Sequence, residues 1–466
     1  TAGTYSNEAK IEVACFDAAT QTLIEPHIRY VVFIQNGKIF KSNLVKGGPG
    51  PTPVQVSSES AAADLCLFNA KQLADPVTPE NTAIVYDKRG PDGACGTADD
   101  EWRMVRLSMT STEAPVSAKQ PVTGLIGSTG IPIGWLGFDG NQLTRYDVNF
   151  QSPTVLIVNS DPNVQEISRR VGGVDKAVIR VNNSLRVYDG STGLFPATSS
   201  LSLLDCSVDP CVPTSITATG RDASGVYAAV AGTSATNIYR VPLDGSIAVQ
   251  LATETNPVSV VRPSTNRVIY NQLTANLITG IQQQIKSVPK AGGNAVVLPI
   301  LGLFGAGGTP VVAGTKVYYN IQSSNAAPIA GIVNEDGSGS TEVSAARWLG
   351  IVFSDAFPNL SSITAASRLI RAEGIGFTAS PTPSVPATLN YAGATLKSFD
   401  PLTGSQIAQL GQVPPTSSPN FFSFDTNKGF SLGQATKTNG SGFIADIYIA
   451  DPDVASSLAR LTTNIN

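Results

Sequence analysis

Short runs of alternating apolar and polar residues, separated by turn residues, recur along most of the chain. The clearest example is Asn237–Thr253, where two β-type runs, Ile238–Val241 and Ala248–Thr253, flank a turn that contains Asp244 and Gly245. An Asp-Gly pair between apolar-rich runs predicts a β-hairpin, because glycine adopts a positive φ without a Cβ clash. We therefore expect two strands and a tight turn in this stretch.

Variants of this hairpin repeat along the chain. Related segments are centred at Phe40, Val105, Thr144, Arg186, Tyr239, Lys286, Gly331, Lys397 and Tyr448. Their spacings range from about 39 to 66 residues and cluster near about 45–50. Most segments precede one short strand and follow one or two others, such as PVSVVRP at Pro257–Pro263. Four short strands per unit with this period are typical of a β-propeller blade.

The repeat predicts an all-β fold, a single β-propeller domain over residues 1–466. Nine hairpin units are present, but terminal units can combine to close the ring, so we expect about eight four-stranded blades, with seven or nine as alternatives. The rival architecture is a pair of β-sandwiches, which would show turns every 8–12 residues or so without the longer period.

Helical signals are weak. Ser60–Ala74 and Ala345–Ala366 have some helical spacing, and Gly350 and Pro358 limit any helix in the second stretch to one or two turns.

Two spans interrupt the rhythm of strands. Residues Asp75–Glu101 carry an acidic insertion, and Phe377–Ala394 is rich in Pro, Ser and Thr. Irregular connections carry function more often than strands do. These spans are therefore the first places to look for a site.

Composition narrows the classes of function. Only 14% of the 466 residues are charged and the formal net charge is −4, which argues against nucleic-acid binding. No stretch has the roughly 20 apolar residues of a membrane span. Gly302–Gly314 lacks the Lys of a phosphate loop, so no nucleotide is expected, and the absence of C-x-x-C-H argues against a c-type haem.

Five cysteines suggest disulfide chemistry. Cys206 and Cys211 are close enough in sequence to close a small disulfide loop, and buried free thiols are the alternative. Cys66 has two candidate partners, Cys95 and Cys15. Sparse Lys, abundant Ser and Thr, and a disulfide together predict an exported protein, located outside the cell or on its surface.

The acidic stretch from Asp87 to Trp102 is the sharpest local signal. Its carboxylates surround three glycines, which let backbone carbonyls turn towards a cation. The candidate Ca²⁺ ligands are Asp87, Asp92, Asp99, Asp100 and Glu101. Calcium prefers six to eight oxygen ligands, which carboxylates and carbonyls supply. The alternative is a solvated acidic hairpin tip without a metal.

Catalytic groups are scarce. His27 is the only histidine, and the sequence contains no G-x-S-x-G motif that would supply a nucleophilic serine. No catalytic residue is therefore assigned. A carboxylate pair of the glycosidase type could come from acidic residues far apart in sequence. The candidates are Asp139, Asp355, Glu373 and Asp425. Aspartates that recur in the hairpin turns have a simpler role as acceptors of backbone N–H groups. They are Asp147, Asp189, Asp244, Asp336, Asp400 and Asp451.

The phrases IYRVPLDGS and IKSVPKAGGNAVVL resemble the repeats of TolB-like and related β-propeller families. The resemblance covers most of the chain weakly and is clearest over Gly225–Leu298. It implies a propeller that binds proteins or peptides, although some members of such families are enzymes. The resemblance therefore supports the fold more than the function.

Together these patterns predict an exported, non-catalytic β-propeller that serves as a protein-interaction or scaffold module. Its partner would be another protein or further copies of itself, at the cell surface or in an extracellular assembly. A carbohydrate-active enzyme with a carboxylate pair at the mouth of the propeller channel is one alternative. A calcium-dependent binding module is the other.

Overall fold

The computed structural model is all-β: its described residues contain 41 strands and no α-helix. Within them, no helix is long and apolar enough to cross a membrane. The described residues are 16–17, 22–23, 29–35, 38–44, 54–55, 65–73, 81–88, 91–92, 99–106, 113–117, 120–126, 132–158, 164–169, 176–190, 200–222, 224–276, 280–302, 310–323, 325–352, 363, 367–382, 387–413, 419–423, 430–438 and 443–460.

The chain divides into two compact units, of which the first comprises Thr1–Ser202 and Leu243–Ile247. The strands of the first unit are β1 (Phe16–Asp17), β2 (Thr22–Leu23), β3 (Arg29–Gln35), β4 (Lys38–Leu44), β5 (Val54–Gln55), β6 (Leu65–Leu73), β7 (Ala83–Lys88), β8 (Glu101–Arg106), β9 (Ala114–Pro115), β10 (Gln120–Ile126), β11 (Pro132–Asp139), β12 (Gln142–Tyr146), β13 (Thr154–Ile157), β14 (Gln165–Arg169), β15 (Lys176–Val181), β16 (Ser184–Asp189) and β17 (Leu201–Ser202).

The second unit comprises Leu203–Pro242 and Ala248–Asn466. Its strands are β18 (Leu204–Asp205), β19 (Val212–Pro213), β20 (Ser215–Asp222), β21 (Gly225–Ala231), β22 (Thr236–Pro242), β23 (Val249–Glu254), β24 (Val261–Pro263), β25 (Arg267–Asn276), β26 (Gly280–Pro289), β27 (Val296–Gly302), β28 (Val311–Ala313), β29 (Lys316–Ile321), β30 (Ile329–Asn334), β31 (Thr341–Ser344), β32 (Ala346–Val352), β33 (Arg368–Glu373), β34 (Gly376–Thr378), β35 (Thr388–Asn390), β36 (Thr395–Phe399), β37 (Gln406–Gln412), β38 (Pro419–Ser423), β39 (Phe430–Thr438), β40 (Phe443–Ala450) and β41 (Ala459–Arg460).

Most of these strands form four-stranded antiparallel sheets in which strands adjacent in sequence are paired. Among the described residues there are eight such sheets: β6–β9, β10–β13, β14–β17, β20–β23, β24–β27, β28–β31, β32-β33-β36-β37 and β38–β41. A three-stranded sheet, β3–β5, precedes them. Small hairpins, β1–β2, β18–β19 and β34–β35, lie outside the larger sheets.

Burial differs between the second and the fourth strand of a sheet. In β21 the residues from Gly225 to Val230 are all buried, whereas in β23 exposed Val249 and Gln250 precede buried Leu251. A strand covered on both faces reads as a continuous apolar run, and a half-covered edge strand alternates. The sheets are therefore covered on both faces at their centres and partly exposed along their fourth strands.

Consecutive sheets of each unit pack face to face. Each hydrophobic cluster combines buried residues of two neighbouring sheets, as where Tyr227 and Ile238 meet Val268 and Tyr270. The same arrangement joins β6–β9 to β10–β13 and that sheet to β14–β17 in the first unit. In the second unit it continues from β24–β27 through β28–β31 to the last two sheets. Apolar burial between neighbours therefore stabilises each unit.

First strands of most neighbouring sheets lie side by side within each unit. Strand β10 contacts β6 and β14, β24 contacts β20 and β28, and β32 contacts β38. These sheets therefore converge on their first strands.

The turns between third and fourth strands share an aspartate. Its Oδ1 accepts the backbone N–H of the residue two positions later. This occurs at Asp147, Asp244, Asp336, Asp400 and Asp451. The predicted role of these aspartates in turn formation is confirmed. Asp189 differs, since its carboxylate lies 3.6 Å from Lys176 Nζ.

Backbone carbonyls of the same turns bind the preceding sheet. Arg106 Nη2 donates to Val148 O at 3.1 Å, and Tyr318 Oη donates to Pro401 O at 2.6 Å. Ser287 Oγ donates to Glu335 O at 2.6 Å, and Ser398 Oγ donates to Pro452 O. Each turn therefore both closes its own sheet and satisfies a side chain of its neighbour.

The two stretches with weak helical spacing form strands where the structure describes them, in agreement with the prediction of an all-β fold. Ser60–Ala74 contains β6, and Ala345–Ala366 contains β32. Each strand pairs with the second strand of its own sheet, so sheet pairing and packing override the local spacing. The opening hairpin is β22 and β23, close to the predicted bounds.

Candidate functional site

Three of the predicted calcium ligands come together between β7 and β8. One carboxylate oxygen from each of Asp92, Asp99 and Asp100 lies within 4.8 Å of the others. The backbone N–H of Asp92 donates to Asp99 Oδ2 at 3.2 Å, which fixes one side of this acidic connection. Asp92 and Asp99 are exposed and Asp100 is half-buried. Clustered carboxylates repel one another, and a bound divalent cation would relieve that repulsion.

The other two predicted ligands have different surroundings. Asp87 lies in β7, buried and opposite Trp102. The β7–β8 ladder continues to Lys88 opposite Glu101, so Asp87 belongs to the strand and not to the connection. The Glu101 carboxylate accepts a hydrogen bond from Arg103 Nη2 at 2.5 Å. The structure therefore groups three of the five carboxylates and places the other two in β7 and β8.

A disulfide joins Cys206 and Cys211, the two cysteines for which the sequence predicts one. Cys66 lies in β6, opposite Asp87 in the β6–β7 ladder. Its candidate partners Cys95 and Cys15 lie outside the described residues, so that pairing stays a prediction.

Next to the disulfide, Asp205 is a residue that sequence reasoning missed. Its Oδ1 accepts hydrogen bonds from Ser207 N at 2.9 Å and Ser207 Oγ at 2.6 Å. Its Oδ2 accepts from Thr233 N at 2.7 Å and Thr233 Oγ1 at 2.6 Å. The Ser207 hydroxyl, followed by the Thr233 groups, holds the pKa of Asp205 well below its usual range. The Asp-x-Ser spacing, shared with Asp244–Ser246 and Asp336–Ser338, is the signal that could have found it.

Of the four carboxylates proposed for glycosidase chemistry, the structure describes Asp139 and Glu373. Asp139 is exposed at the end of β11, and Asp355 and Asp425 lie outside the described residues. Glu373 accepts hydrogen bonds from Arg371 Nε at 2.8 Å and Lys397 Nζ at 2.6 Å. Although burial opposes ionisation, these two cations lower the pKa of Glu373. A general acid requires a raised pKa, so Glu373 is suited to an ion-pair role.

The Pro-, Ser- and Thr-rich span contains an additional hairpin, β34–β35, between the second and third strands of its sheet. Phe377 on β34 is 42% exposed. The loop that joins β34 to β35 is anchored next to β35, because Ala387 N donates to Ser323 O at 3.1 Å and Gln322 Nε2 donates to Ala387 O at 2.9 Å. An exposed aromatic side chain therefore sits on a firmly attached hairpin.

These irregular features lie at the same end of their sheets, which we call the open end. It contains the connection between the second and third strands and the connection from the fourth strand to the next sheet. The acidic connection, β34–β35 and β18–β19 all lie in such connections. The ten-residue β25 and β26 also extend towards the open end. The opposite end, which we call the turn end, contains the aspartate turns between the third and fourth strands.

Comparisons with known proteins name no family. No protein-family model and no curated protein matches the chain. Among solved structures, it is similar to a computationally designed protein at 14% identity and TM-score 0.34, covering 74% of this chain and 88% of that one. A puromycin hydrolase variant matches at 12% identity and TM-score 0.36, covering 71% of this chain and 51% of the hydrolase.

Dipeptidyl peptidase 4 of Porphyromonas gingivalis matches at 8% identity and TM-score 0.44, over 97% of this chain and 66% of the peptidase. This chain therefore spans about half the length of the hydrolase and two thirds of the peptidase. All three TM-scores are below 0.5, so these similarities define neither the fold nor the activity of this chain.

Proposed function

We propose that the chain is an exported, non-catalytic β-propeller that binds a protein partner through the open ends of its sheets. The observation that carries the proposal is the asymmetry between the two ends. In the described residues, the additional hairpins and the acidic connection lie at open ends, while short aspartate turns bound to neighbouring sheets form the turn ends. Functional loops on a rigid scaffold have this arrangement.

Three observations support a propeller. Four-stranded antiparallel meanders follow one another, their faces pack in sequence order, and most of their first strands adjoin within each unit. Closure of the eight sheets into one ring, the blade count favoured from the sequence, would cover the remaining apolar faces. A compact single domain of this length has a radius of gyration of about 23 Å. Small-angle scattering should give that value, and a much larger one would contradict a single closed ring.

Export is supported by the disulfide between Cys206 and Cys211, because such bonds persist mainly in oxidising compartments. The expected partner is another protein or a second copy of the chain. Glu373, one of the carboxylates proposed for glycosidase chemistry, is held in its ionised form by Arg371 and Lys397, which disfavours it as a general acid.

Substitution of Phe377 by serine tests the binding face. We expect the variant to lose most of the partner that crosslinks to and copurifies with the native protein, because exposed aromatic side chains are frequent binding hot spots. The matched control is Ile247→Ser, which changes a 78% exposed residue in a turn between third and fourth strands. Equal losses in both variants, or a native protein that is strictly monomeric without a retained partner, would contradict the proposal.

Calcium-dependent binding is a second candidate, favoured by the convergence of Asp92, Asp99 and Asp100. If calcium binds there, a chelator should lower the melting temperature by about 3–6 °C, because a ligand that binds only the folded state stabilises it. The Asp92→Asn and Asp99→Asn variants should lose this response, and Asp139→Asn should keep it. An unchanged melting temperature for the native protein on adding chelator would remove this candidate.

A further inference from the structure

The hairpin β18–β19 is too short to be stable by its own pairing. Its two strands pair over two residues each, Leu204 with Pro213 and Asp205 with Val212. One additional backbone bond runs from Thr214 N to Leu203 O at 2.9 Å. Two-stranded hairpins are marginal in water even when they are longer. Other interactions must therefore hold this segment in place.

Two such interactions meet at Asp205. The disulfide closes the loop that begins with the next residue, Cys206, and encloses Ser207. The Asp205 carboxylate accepts two hydrogen bonds from Ser207 and two from Thr233. Hydrogen bonds to an ionised carboxylate are stronger than those between neutral groups. We call this four-bond arrangement the Asp205 latch.

The latch ties the hairpin to the connection between β21 and β22, which contains Thr233. The approach is close, because a Cβ atom placed on Gly232 would lie 2.6 Å from Asp205 Oδ2. A glycine is therefore required at this position for the carboxylate to reach Thr233. The latch holds two open-end connections of the second unit together.

The position of the latch depends on the disulfide. The bonds from Ser207 to Asp205 are local, since the same bonds join Ser338 to Asp336 without a disulfide. The Cys206–Cys211 bond instead closes the end of β18–β19 and so fixes the Asp205 carboxylate next to Thr233. Both cysteines are exposed, so a thiol in solution can reach them. Exposed disulfides are more readily reduced than buried structural ones.

We propose that the Cys206–Cys211 disulfide is a redox-sensitive switch. It determines whether the Asp205 latch and the connection that contains Thr233 are ordered. A dithiol reductant supplies a thiolate that attacks one sulfur and forms a mixed disulfide. Its second thiol then displaces that sulfur. The protein gains two thiols, and the dithiol is oxidised to its own disulfide. Without the disulfide the short hairpin β18–β19 loosens, and the Asp205 carboxylate loses its fixed position next to Thr233.

Hydrogen exchange at single amides tests this switch without any binding partner. Dithiothreitol is the probe, and peptide mapping of labelled thiols confirms that Cys206 and Cys211, and not other cysteines, have been reduced. We expect the Thr233 amide to exchange at least about tenfold faster after reduction. Reoxidation should restore protection, while amides in β25 should not change.

Two variants separate the disulfide from the carboxylate. The Cys206→Ser/Cys211→Ser double variant should show the fast exchange without reductant. Asp205→Asn should show it at Thr233 in the oxidised protein, with little further change on reduction. Unchanged protection at Thr233 in the fully reduced native protein would overturn the proposal. Failure of dithiothreitol to reduce the bond in the folded protein would also overturn it.

Discussion

Replacing Trp348 by alanine is expected to lower the free energy of unfolding by about 3–5 kcal/mol. The indole is 4% exposed and lies between aromatic rings of its own sheet and its neighbour. Its centroid is 5.0 Å from that of Tyr318 on β29 and 5.2 Å from that of Phe399 on β36, both in edge-to-face geometry. Truncation would therefore leave a cavity at the interface between two sheets and remove both aromatic contacts.

The matched control is Trp348→Phe, which keeps an aromatic ring but loses the hydrogen bond from Nε1 to Gly331 O at 3.0 Å. Its cost should be smaller, about 1–3 kcal/mol, from the loss of that hydrogen bond and of part of the buried ring. Urea denaturation monitored by circular dichroism gives both values. A loss below about 1 kcal/mol for the alanine variant would show that the sheet interface contributes little to stability.

Replacing Gly331 by alanine is the second large effect we expect, about 1–3 kcal/mol of destabilisation. Gly331 lies directly opposite Tyr319 in the β29–β30 ladder, and the tyrosine ring covers it. A Cβ atom at this position would overlap Cζ and Cε2 of the ring. Tyr319 is buried and its Oη donates to Glu342 Oε1 at 3.0 Å, so the ring cannot move aside freely.

A double-mutant cycle distinguishes this overlap from a general intolerance of alanine at this position. Tyr319→Ala removes the ring and should cost about 3–5 kcal/mol by itself. In that background, Gly331→Ala should cost less than in the native protein, with a coupling energy of about 1–3 kcal/mol from chemical denaturation. Additive costs would show that the ring and the glycine are energetically independent.

The repeated strands could be predicted from sequence because they depend on local signals. Alternation around Tyr239 and the Asp244–Gly245 turn predicted β22 and β23 within one or two residues. The aspartate turns were also predictable, since an Asp side chain reaches the N–H two residues later whatever surrounds it. Both signals are contained within a few neighbouring residues.

The site could be predicted only in part, because its geometry depends on where strands end and on which residues meet across the fold. Sequence placed Asp87 with the acidic connection, but the ladder reaches Lys88 and includes it in β7. Glu373 was a candidate acid by sequence, but Arg371 and Lys397 lie beside it on adjacent positions of the sheet. The Thr233 partner of Asp205 is 28 positions away, beyond any local pattern.

The binding of each turn carbonyl to the preceding sheet has a consequence for folding. Tyr318 and Pro401 are separated in sequence by less than about two repeats. The other side chains that donate to a turn carbonyl are closer in sequence to their acceptors. Contacts of moderate sequence separation allow faster folding than contacts between distant parts of a chain. A sheet can therefore dock as soon as the next turn leaves the ribosome. We expect ordered structure to grow one sheet at a time during synthesis, in the direction of translation.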